Sequence, residues 1–239
     1  MTEIPALSVV TTTDPVARQL PLLLEALSSL AVHEHKRYEI IIVDDLGQWK
    51  TEKPPACDAM DGLTIKTVQP YQRQGQLKAI QQGLAQATSP LILTIDPDLY
   101  ACVPEIPDMV AMIDDMTLAI HAVRGEREDV GLFRQIASDI VNSFIRIITG
   151  LEVKDIGSPI TLFKRDVLDM LPPISSGKQP NLRLRAYLIL DDRLACYNLK
   201  AGATSSASSH YNLVHLIGTT WRLLRDAINI RLRHTMRSP

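Results

Sequence analysis

Two carboxylates flank a proline directly after an apolar run. The run Leu91–Ile95 contains only leucine, isoleucine and one threonine, which is typical of a strand buried on both faces of a sheet. Pro97 has a fixed φ and no N–H to donate, so we expect the strand to end there with Asp96 and Asp98 at its carboxyl end. Open α/β sheets bind ligands at this edge, and carboxylate oxygens suit Mg²⁺ or Mn²⁺ shared with a diphosphate. The alternative is a simple acidic turn.

Apolar runs that suit strands alternate with helical patterns through the first half of the sequence. The spacing of the leucines predicts a helix that begins at Pro15, with Asp14 as its N-cap. Further helices are predicted over Gly75–Ala87 and Glu105–Asp115. Because strands and helices alternate, the sequence predicts an α/β fold with a mostly parallel sheet and flanking helices. The predicted strands are Ala6–Thr12, Tyr38–Val43, Leu63–Val68, Leu91–Ile95 and Thr117–Val123.

The second half adds a long helix, two short strands and a basic end. The helix is predicted over Gly131–Thr149, and Pro159–Phe163 and Ala195–Leu199 have the pattern of strands. We expect residues 1–212 to form one domain and residues 213–239 to form a basic amphipathic helix with five arginines and one acid. Two interpretations of that last helix stay open: it lies on anionic lipid headgroups, or it packs on the domain. The apolar stripe of the long helix is Ile136, Ile140, Phe144, Ile147 and Ile148.

Composition argues against several classes of protein. A formal net charge of −2 over 239 residues provides no overall attraction for nucleic acid. Three widely spaced cysteines make neither a disulfide framework nor a metal site, which fits a reducing cytosol. No signal peptide is visible, and no apolar run reaches the roughly 18–20 residues that span a bilayer. The sequence therefore predicts a cytoplasmic protein.

Four separated segments carry polar residues and glycines in a specific order and spacing. They are Ser8–Val10 with Ile41–Asp45; Gly75-Gln76, Ala79-Ile80 and Gly83-Leu84; Asp96–Leu99; and Arg124, Arg127, Asp129, Arg134, Ser138, Asn142, Thr149-Gly150, Asp155, Gly157 and Phe163–Arg165. Together they resemble the family 2 nucleotide-sugar glycosyltransferases of the dolichyl-phosphate mannose synthase and polyprenyl-phosphate sugar transferase type. The resemblance covers roughly residues 6–215.

The resemblance implies the A-type glycosyltransferase fold, a Rossmann-like sheet that binds a UDP- or GDP-linked sugar at its carboxyl edge. It also implies transfer of the sugar, with inversion, to the phosphate of a polyprenyl (dolichyl-type) lipid at the cytosolic membrane face. Asp96 and Asp98 would bind Mg²⁺ or Mn²⁺, and the implied catalytic residues are Asp98, Arg124 and Arg134. The residues implied for nucleotide-sugar binding are Thr13, Asp44, Asp45, Gln76, Asp96, Arg127, Ser138 and Lys200.

Elementary chemistry agrees with such a reaction. A dianionic phosphate is already a nucleophile near neutral pH, so transfer to it needs no strong base from the protein. The protein must instead neutralise charge on the departing diphosphate and hold both partners in line. A metal bound by carboxylates and the arginines between Arg124 and Arg134 suit that task. The alternative for Arg124 and Arg127 is surface ion pairing with Glu126 and Glu128.

The sequence departs from the family pattern at several positions. Tyr100 stands where a glutamine commonly follows the Asp-x-Asp-Leu motif. Gly202, Thr204 and Ser208 stand where basic side chains are expected, which leaves Lys200 as the nearby cation. Two alternatives therefore stay open: a weakened relative that acts as a binding or regulatory module, and an enzyme with a soluble acceptor. Since no membrane-spanning helices follow the domain, we expect a peripheral protein or one held by a membrane-protein partner.

Overall fold

Seven strands form one mixed sheet in the computed structural model, which describes residues 4–13, 19–45, 47, 60–71, 75–124, 143, 147, 155, 158–170, 190 and 193–200. The strands are β1 (Leu7–Thr12), β2 (Tyr38–Val43), β3 (Leu63–Val68), β4 (Leu91–Thr94), β5 (Ala119–Val123), β6 (Thr161–Lys164) and β7 (Leu194–Asn198). Their order across the sheet is β3-β2-β1-β4-β6-β5-β7. Only β6 runs antiparallel to its neighbours among these seven. The predicted, mostly parallel sheet is confirmed.

Helices cover both faces of the sheet. They are α1 (Leu20–His33), α2 (Gln76–Gln86), a 3-10 helix (Pro97–Glu105), α3 (Ile106–Ala111) and α4 (Arg165–Met170). The prediction of α2 is confirmed. α1 begins at Leu20 with Gln19 as its N-cap, later than predicted, and Asp14 and Pro15 lie outside the described residues.

The connection between β4 and β5 differs from the single helix predicted over Glu105–Asp115. A 3-10 helix comes first, and Pro104 inside it lacks the N–H that a continuous α-helix would use. α3 ends at Ala111 because Asp114 starts a turn. The Asp114 carboxylate accepts hydrogen bonds from the backbone N–H groups of Met116 at 2.9 Å and Thr117 at 2.7 Å. This turn leads the chain into β5.

Side chains of the central strands alternate between two cores. On one face Val9, Ile40 and Leu93 pack with α1 and the 3-10 helix, and on the other face Val10 and Ile41 pack with α2. All five side chains are fully buried. The sheet is therefore covered on both sides at its centre, which explains why the central strands are mainly apolar.

α2 approaches the sheet most closely at Gly83. A Cβ atom there would lie 2.5 Å from Val10 Cγ1, closer than packed carbon atoms come, and 3.0 Å from Val43 Cγ2, a tight contact. Glycine thus allows the helix to lie directly on β1 and β2. This packing fixes the beginning of α2 at the carboxyl edge of the sheet.

A buried acid, Glu39, links several segments at the amino edge of the sheet, opposite the edge where α2 begins. Glu39 is 2% exposed, and its carboxylate accepts hydrogen bonds from Ser8 Oγ at 2.6 Å and from the Thr88 N–H and hydroxyl at 2.9 and 3.0 Å. The Lys66 ammonium pairs with the same carboxylate. Burial alone would raise the pKa of Glu39, but these bonds outweigh it and the pKa is lowered. The network joins β1, β2, β3 and the segment after α2.

The second half of the chain contains the predicted long helix and the predicted boundary after residue 212. Ile147, which belongs to the predicted apolar stripe of the long helix, is 76% exposed; periodicity identifies an apolar face but not whether that face is covered. The rest of that stripe and residues 213–239 lie outside the described residues, so the boundary after residue 212 stays a prediction. Across the part of the chain that the structure describes, no helix has the length and apolar character needed to cross a membrane.

Candidate active site

The carboxyl ends of the parallel strands bring predicted site residues to one edge of the sheet. Thr13 follows β1, Asp44 and Asp45 follow β2, Asp96 follows β4 and Arg124 follows β5. Parallel strands end at the same edge, so the topology alone gathers residues that are more than a hundred positions apart in the sequence.

The ends of β1 and β2 are joined through Thr13. Its hydroxyl donates to Asp44 Oδ1 at 3.1 Å, and its backbone N–H donates to the Val43 carbonyl at 3.1 Å. Asp44 is 1% exposed, so this carboxylate is held among protein groups. These two hydrogen bonds of Thr13 hold the carboxyl ends of β1 and β2 together.

Asp45 holds the beginning of α2. Its Oδ2 accepts the backbone N–H of Gly75 at 2.8 Å. Gly75 is the N-cap of α2 and has a φ of +86°, a conformation that side-chain-bearing residues rarely adopt. This positive φ gives a structural reason for a glycine directly before Gln76.

Gln76 connects α2 to the acidic pair after β4. Its amide Nε2 donates to Asp96 Oδ1 at 2.9 Å. A series of contacts therefore runs along the edge, from the end of β1 through β2 and the first residues of α2 to the end of β4. Gln76 is predicted to bind the nucleotide sugar, and the structure places it against a predicted metal ligand, Asp96.

Asp96 and Asp98 are the two carboxylates with the chemistry for a divalent cation. Asp96 is the N-cap of the 3-10 helix, Asp98 lies in its first turn, and both residues are partly exposed. No group of three or more histidine, cysteine or acidic side chains is arranged around a possible metal position among the residues that the structure describes. Two carboxylates fit Mg²⁺ or Mn²⁺ when a diphosphate and water supply the other ligands. The donor set thus fits the predicted metal.

Arg124 is held by a carboxylate from the second half of the chain. Its Nε and Nη2 donate to the two carboxylate oxygens of Asp155 at 2.7 and 2.8 Å, and its backbone N–H donates to Oδ2 at 3.2 Å. Burial acts to lower the pKa of Arg124, but Asp155 and the nearby charges of Asp98 and Asp96 raise it on balance. Arg124 therefore stays charged and lies within electrostatic reach of both acids.

Sequence reasoning missed the partner of Arg124 and the residue behind it. The sequence places Asp155 only among the residues that carry the family resemblance, and His121 is not among them. The structure makes Asp155 the partner of Arg124, and the His121 ring contacts the Asp155 backbone at 2.9 Å. A polar residue at position 121, inside an otherwise apolar strand, is the one signal that could have revealed it.

Lys200 has a different set of neighbours. Its ammonium lies 3.0 Å from Asp108 Oδ2, and its backbone N–H donates to Glu105 at 2.9 Å. The Tyr197 hydroxyl lies within hydrogen-bonding distance of the same two acids. Lys200 thus contacts α3 and the end of the 3-10 helix, and its predicted role in nucleotide-sugar binding stays a prediction.

Three other predicted site residues cannot be placed. Arg127, Arg134 and Ser138 lie outside the described residues, so their roles also stay predictions.

Solved structures of glycosyltransferases share this architecture. Glucosyl-3-phosphoglycerate synthase from Mycobacterium tuberculosis, solved with Mn²⁺, UDP-glucose and phosphoglyceric acid, matches 95% of this chain and 79% of its own with a TM-score of 0.66 and 16% identity. A mannosyltransferase from Pyrobaculum calidifontis, solved with GDP-Man and Mn²⁺, matches 97% of this chain and 71% of its own with a TM-score of 0.54 and 15% identity. At such identities the likeness shows the fold, and the predicted A-type fold is confirmed.

Comparison with curated sequences gives closer relatives. Undecaprenyl-phosphate 4-deoxy-4-formamido-L-arabinose transferase from Enterobacter sp. strain 638 is 32% identical over 72% of this chain and 53% of the relative. The protein of the same name from Klebsiella pneumoniae is 30% identical over 64% of this chain and 46% of the relative. The chain thus spans about half the length of these relatives. Residues 15–171 match the model of the family described as glycosyl transferase family 2, and the chain belongs to that family.

Proposed function

We propose that this chain transfers a sugar from a nucleotide-diphosphate sugar to the phosphate of a polyprenyl lipid at the cytosolic face of a membrane. The observation that carries the proposal is the sheet edge where Arg124 lies within electrostatic reach of both Asp96 and Asp98. The acceptor is supported by the names of the curated relatives, which are undecaprenyl-phosphate sugar transferases. The donor class is supported by the UDP-glucose and GDP-Man in the structures of similar fold.

The nucleoside would lie over the ends of β1 and β2. Thr13 and Asp44 hold each other, so they give the pocket a fixed shape. Asp45 is 8% exposed and follows Asp44 directly after the end of β2. We assign the contact with the base or ribose to this group of residues.

The diphosphate would lie between the acidic pair and Arg124. Asp96 and Asp98 would hold Mg²⁺ or Mn²⁺, which when bound neutralises negative charge on the departing diphosphate. A guanidinium has five N–H groups, and the Asp155 carboxylate takes only two from the side chain of Arg124. The other N–H groups of the guanidinium are of the type that suits a phosphate. Since Asp155 offsets its charge, further cations are required, and we assign that role to the metal and to Arg134.

The acceptor phosphate would attack the anomeric carbon from the side opposite the diphosphate, which inverts the configuration. A dianionic phosphate needs no general base, so the site only has to align the two partners. This mechanism does not need Asp155 as a base, and its carboxylate is already paired with Arg124.

A transfer assay tests the proposal. Purified chain, Mn²⁺ and a panel of UDP- and GDP-linked radiolabelled sugars are incubated with and without undecaprenyl phosphate, and the product is partitioned into organic solvent. We expect lipid-dependent label in the organic phase, lost in Asp98→Ala. Label that stays in water and does not need the lipid would indicate a soluble acceptor. Thermal stabilisation by a nucleotide without any transfer would indicate a binding module.

Association with the membrane surface is a separate part of the proposal. Residues 213–239 carry five arginines and one acid, and an amphipathic helix of that charge suits anionic lipid headgroups. Co-sedimentation with phosphatidylglycerol vesicles should fall when Trp221–Pro239 is deleted. Unchanged co-sedimentation would contradict a membrane role for this segment.

A further inference from the structure

A fully buried histidine contacts the backbone that carries the partner of Arg124. His121 lies in β5 and is 0% exposed. Its Nε2 lies 2.9 Å from the carbonyl oxygen of Asp155. A carbonyl can only accept, so Nε2 must carry the proton in this contact. The same carbonyl accepts the Ser158 N–H at 2.8 Å, and the peptide after residue 155 is therefore held by two donors.

The backbone that these donors hold has an uncommon conformation. Asp155 has a φ of +47°, in the left-handed region that residues other than glycine seldom adopt. Such a conformation persists when surrounding contacts determine it. The hydrogen bonds from His121 and Ser158 are contacts of that kind, because they fix the direction of the Asp155 carbonyl.

The conformation of residue 155 in turn sets the direction of its side chain. The Asp155 carboxylate receives both Nε and Nη2 of Arg124, together with the Arg124 backbone N–H. A two-point contact of this type fixes the plane of the guanidinium as well as its distance. β5 thus holds residue 155 twice: His121 binds its backbone, and Arg124, which follows the strand, binds its side chain.

We propose that His121 is a positioning residue for Arg124. By holding Asp155 in its left-handed conformation, the imidazole aims the carboxylate that orients the guanidinium toward Asp96 and Asp98. The consequence for catalysis rests on the proposed function, since it assumes that Arg124 contacts the departing diphosphate. The positioning itself does not depend on that assumption and can be measured separately.

The decisive comparison is between His121→Gln and His121→Asn. The glutamine Nε2 is three bonds from Cβ, as is the histidine Nε2, whereas the asparagine amide is one bond shorter and falls short of the Asp155 carbonyl. Both variants bury an amide, so they differ mainly in reach. Ile120→Val is the control for general loss of packing, because Ile120 is buried in the core on the other face of β5.

The direct readout is the side-chain Nε–H of Arg124 in a ¹H–¹⁵N spectrum, identified by its absence in Arg124→Lys. We expect a slowly exchanging, displaced signal in wild type, His121→Gln and Ile120→Val, and a signal like that of Asp155→Asn in His121→Asn. An unchanged Arg124 signal in His121→Asn would overturn the proposal. If that variant does not fold, loss of the signal in a folded His121→Gln would overturn it as well.

The kinetic readout then connects positioning to transfer. We expect kcat to fall at least about tenfold in His121→Asn with little change in KM for the donor, because small misplacement of a charged group costs rate. His121→Gln should recover most of this loss, and Ile120→Val should not reproduce it. An Arg124 signal that changes in His121→Asn while kcat stays at the wild-type value would refute the catalytic part and keep the positioning. If wild type transfers nothing, the proposed function fails while the spectrum still decides the role of His121.

Discussion

Polar side chains at the sheet edge hold one another in pairs. Gln76 binds Asp96, Asp155 binds Arg124, and Thr13 binds Asp44. Groups that are held before a ligand arrives need no reorganisation when charge develops in the reaction. At the scale of single residues, these supporting contacts therefore matter as much as the residues that would touch the substrate.

Removal of the Gln76 amide should weaken metal binding without unfolding the protein. Residues that orient a metal ligand typically contribute about 10–100-fold to metal affinity. We expect Gln76→Ala to raise the Kd for Mn²⁺, measured by calorimetry in the presence of UDP or GDP, by a factor within about that range. Gln86→Ala is the matched control, because Gln86 is an exposed glutamine at the other end of α2. Equal Mn²⁺ affinity in the two variants would show that Gln76 does not orient Asp96.

At the scale of elements, the site depends on how closely α2 lies on the sheet. Gly83 allows that approach, and Gly75 and Gln76 at the beginning of the helix then meet Asp45 and Asp96. A shift of α2 away from the sheet would move both contacts at once. Packing at the middle of the helix is thereby coupled to the geometry at its end.

Gly83→Ala should destabilise the protein, although alanine favours helices. The added methyl would stand 2.5 Å from Val10 Cγ1, and overpacking of this kind costs about 1–3 kcal/mol against a helix gain of about 1 kcal/mol. We expect a net loss in urea unfolding and weaker nucleotide binding. Val10→Ala provides the space, so the double variant should be more stable than the sum of the two single effects. Additive effects would contradict the clash.

The buried acid at the opposite edge should give the fold a measurable pH dependence. The pKa of Glu39 is lowered in the folded protein, although burial opposes this, because Lys66, Ser8 and Thr88 bind the ionised form. The carboxylate therefore stabilises the fold above its ordinary pKa of 4.5, and the stabilisation is lost as the pH falls through the lower folded value.

Glu39→Gln tests this pH dependence. We expect it to reduce the free energy of unfolding at neutral pH by about 1–3 kcal/mol, since it leaves buried hydrogen-bonding groups poorly matched. Between about pH 6 and about pH 3, the wild type should lose more stability than the variant. The exposed Glu25 on α1 offers the control Glu25→Gln, which should retain the wild-type pH profile. Parallel profiles for wild type and Glu39→Gln would exclude this role for Glu39.

The strands were predictable because most of them are short and mainly apolar, and their ends agree with the predicted ends to within two residues. Asp44, Asp45 and Asp96 could be placed at one edge for the same reason, since parallel strands finish together. The pairing of Arg124 with Asp155 could not, because it joins segments 31 residues apart through a turn with an unusual φ. Glu39 also escaped prediction: a single acid inside an apolar strand does not reveal its partners on three other segments.

At the scale of the whole molecule, one edge of the sheet stabilises the fold and the other carries the candidate site. The amino edge is tied by the Glu39 network, and the carboxyl edge carries the acids and the arginine of the candidate site. A net charge of −2 gives no general attraction for a lipid surface, so any membrane preference has to come from local features such as residues 213–239. The chain spans about half the length of its curated relatives, and the proposed acceptor is drawn from their names.

The central claim is that Asp96 and Asp98 hold a divalent cation together with the diphosphate of a nucleotide. Crystals soaked with Mn²⁺ and UDP or GDP, measured at the manganese absorption edge, test it directly. We predict one strong anomalous peak within about 2.0–2.6 Å of carboxylate oxygens from this pair and of diphosphate oxygens. A bound nucleotide with no anomalous peak at Asp96 and Asp98 would contradict the account.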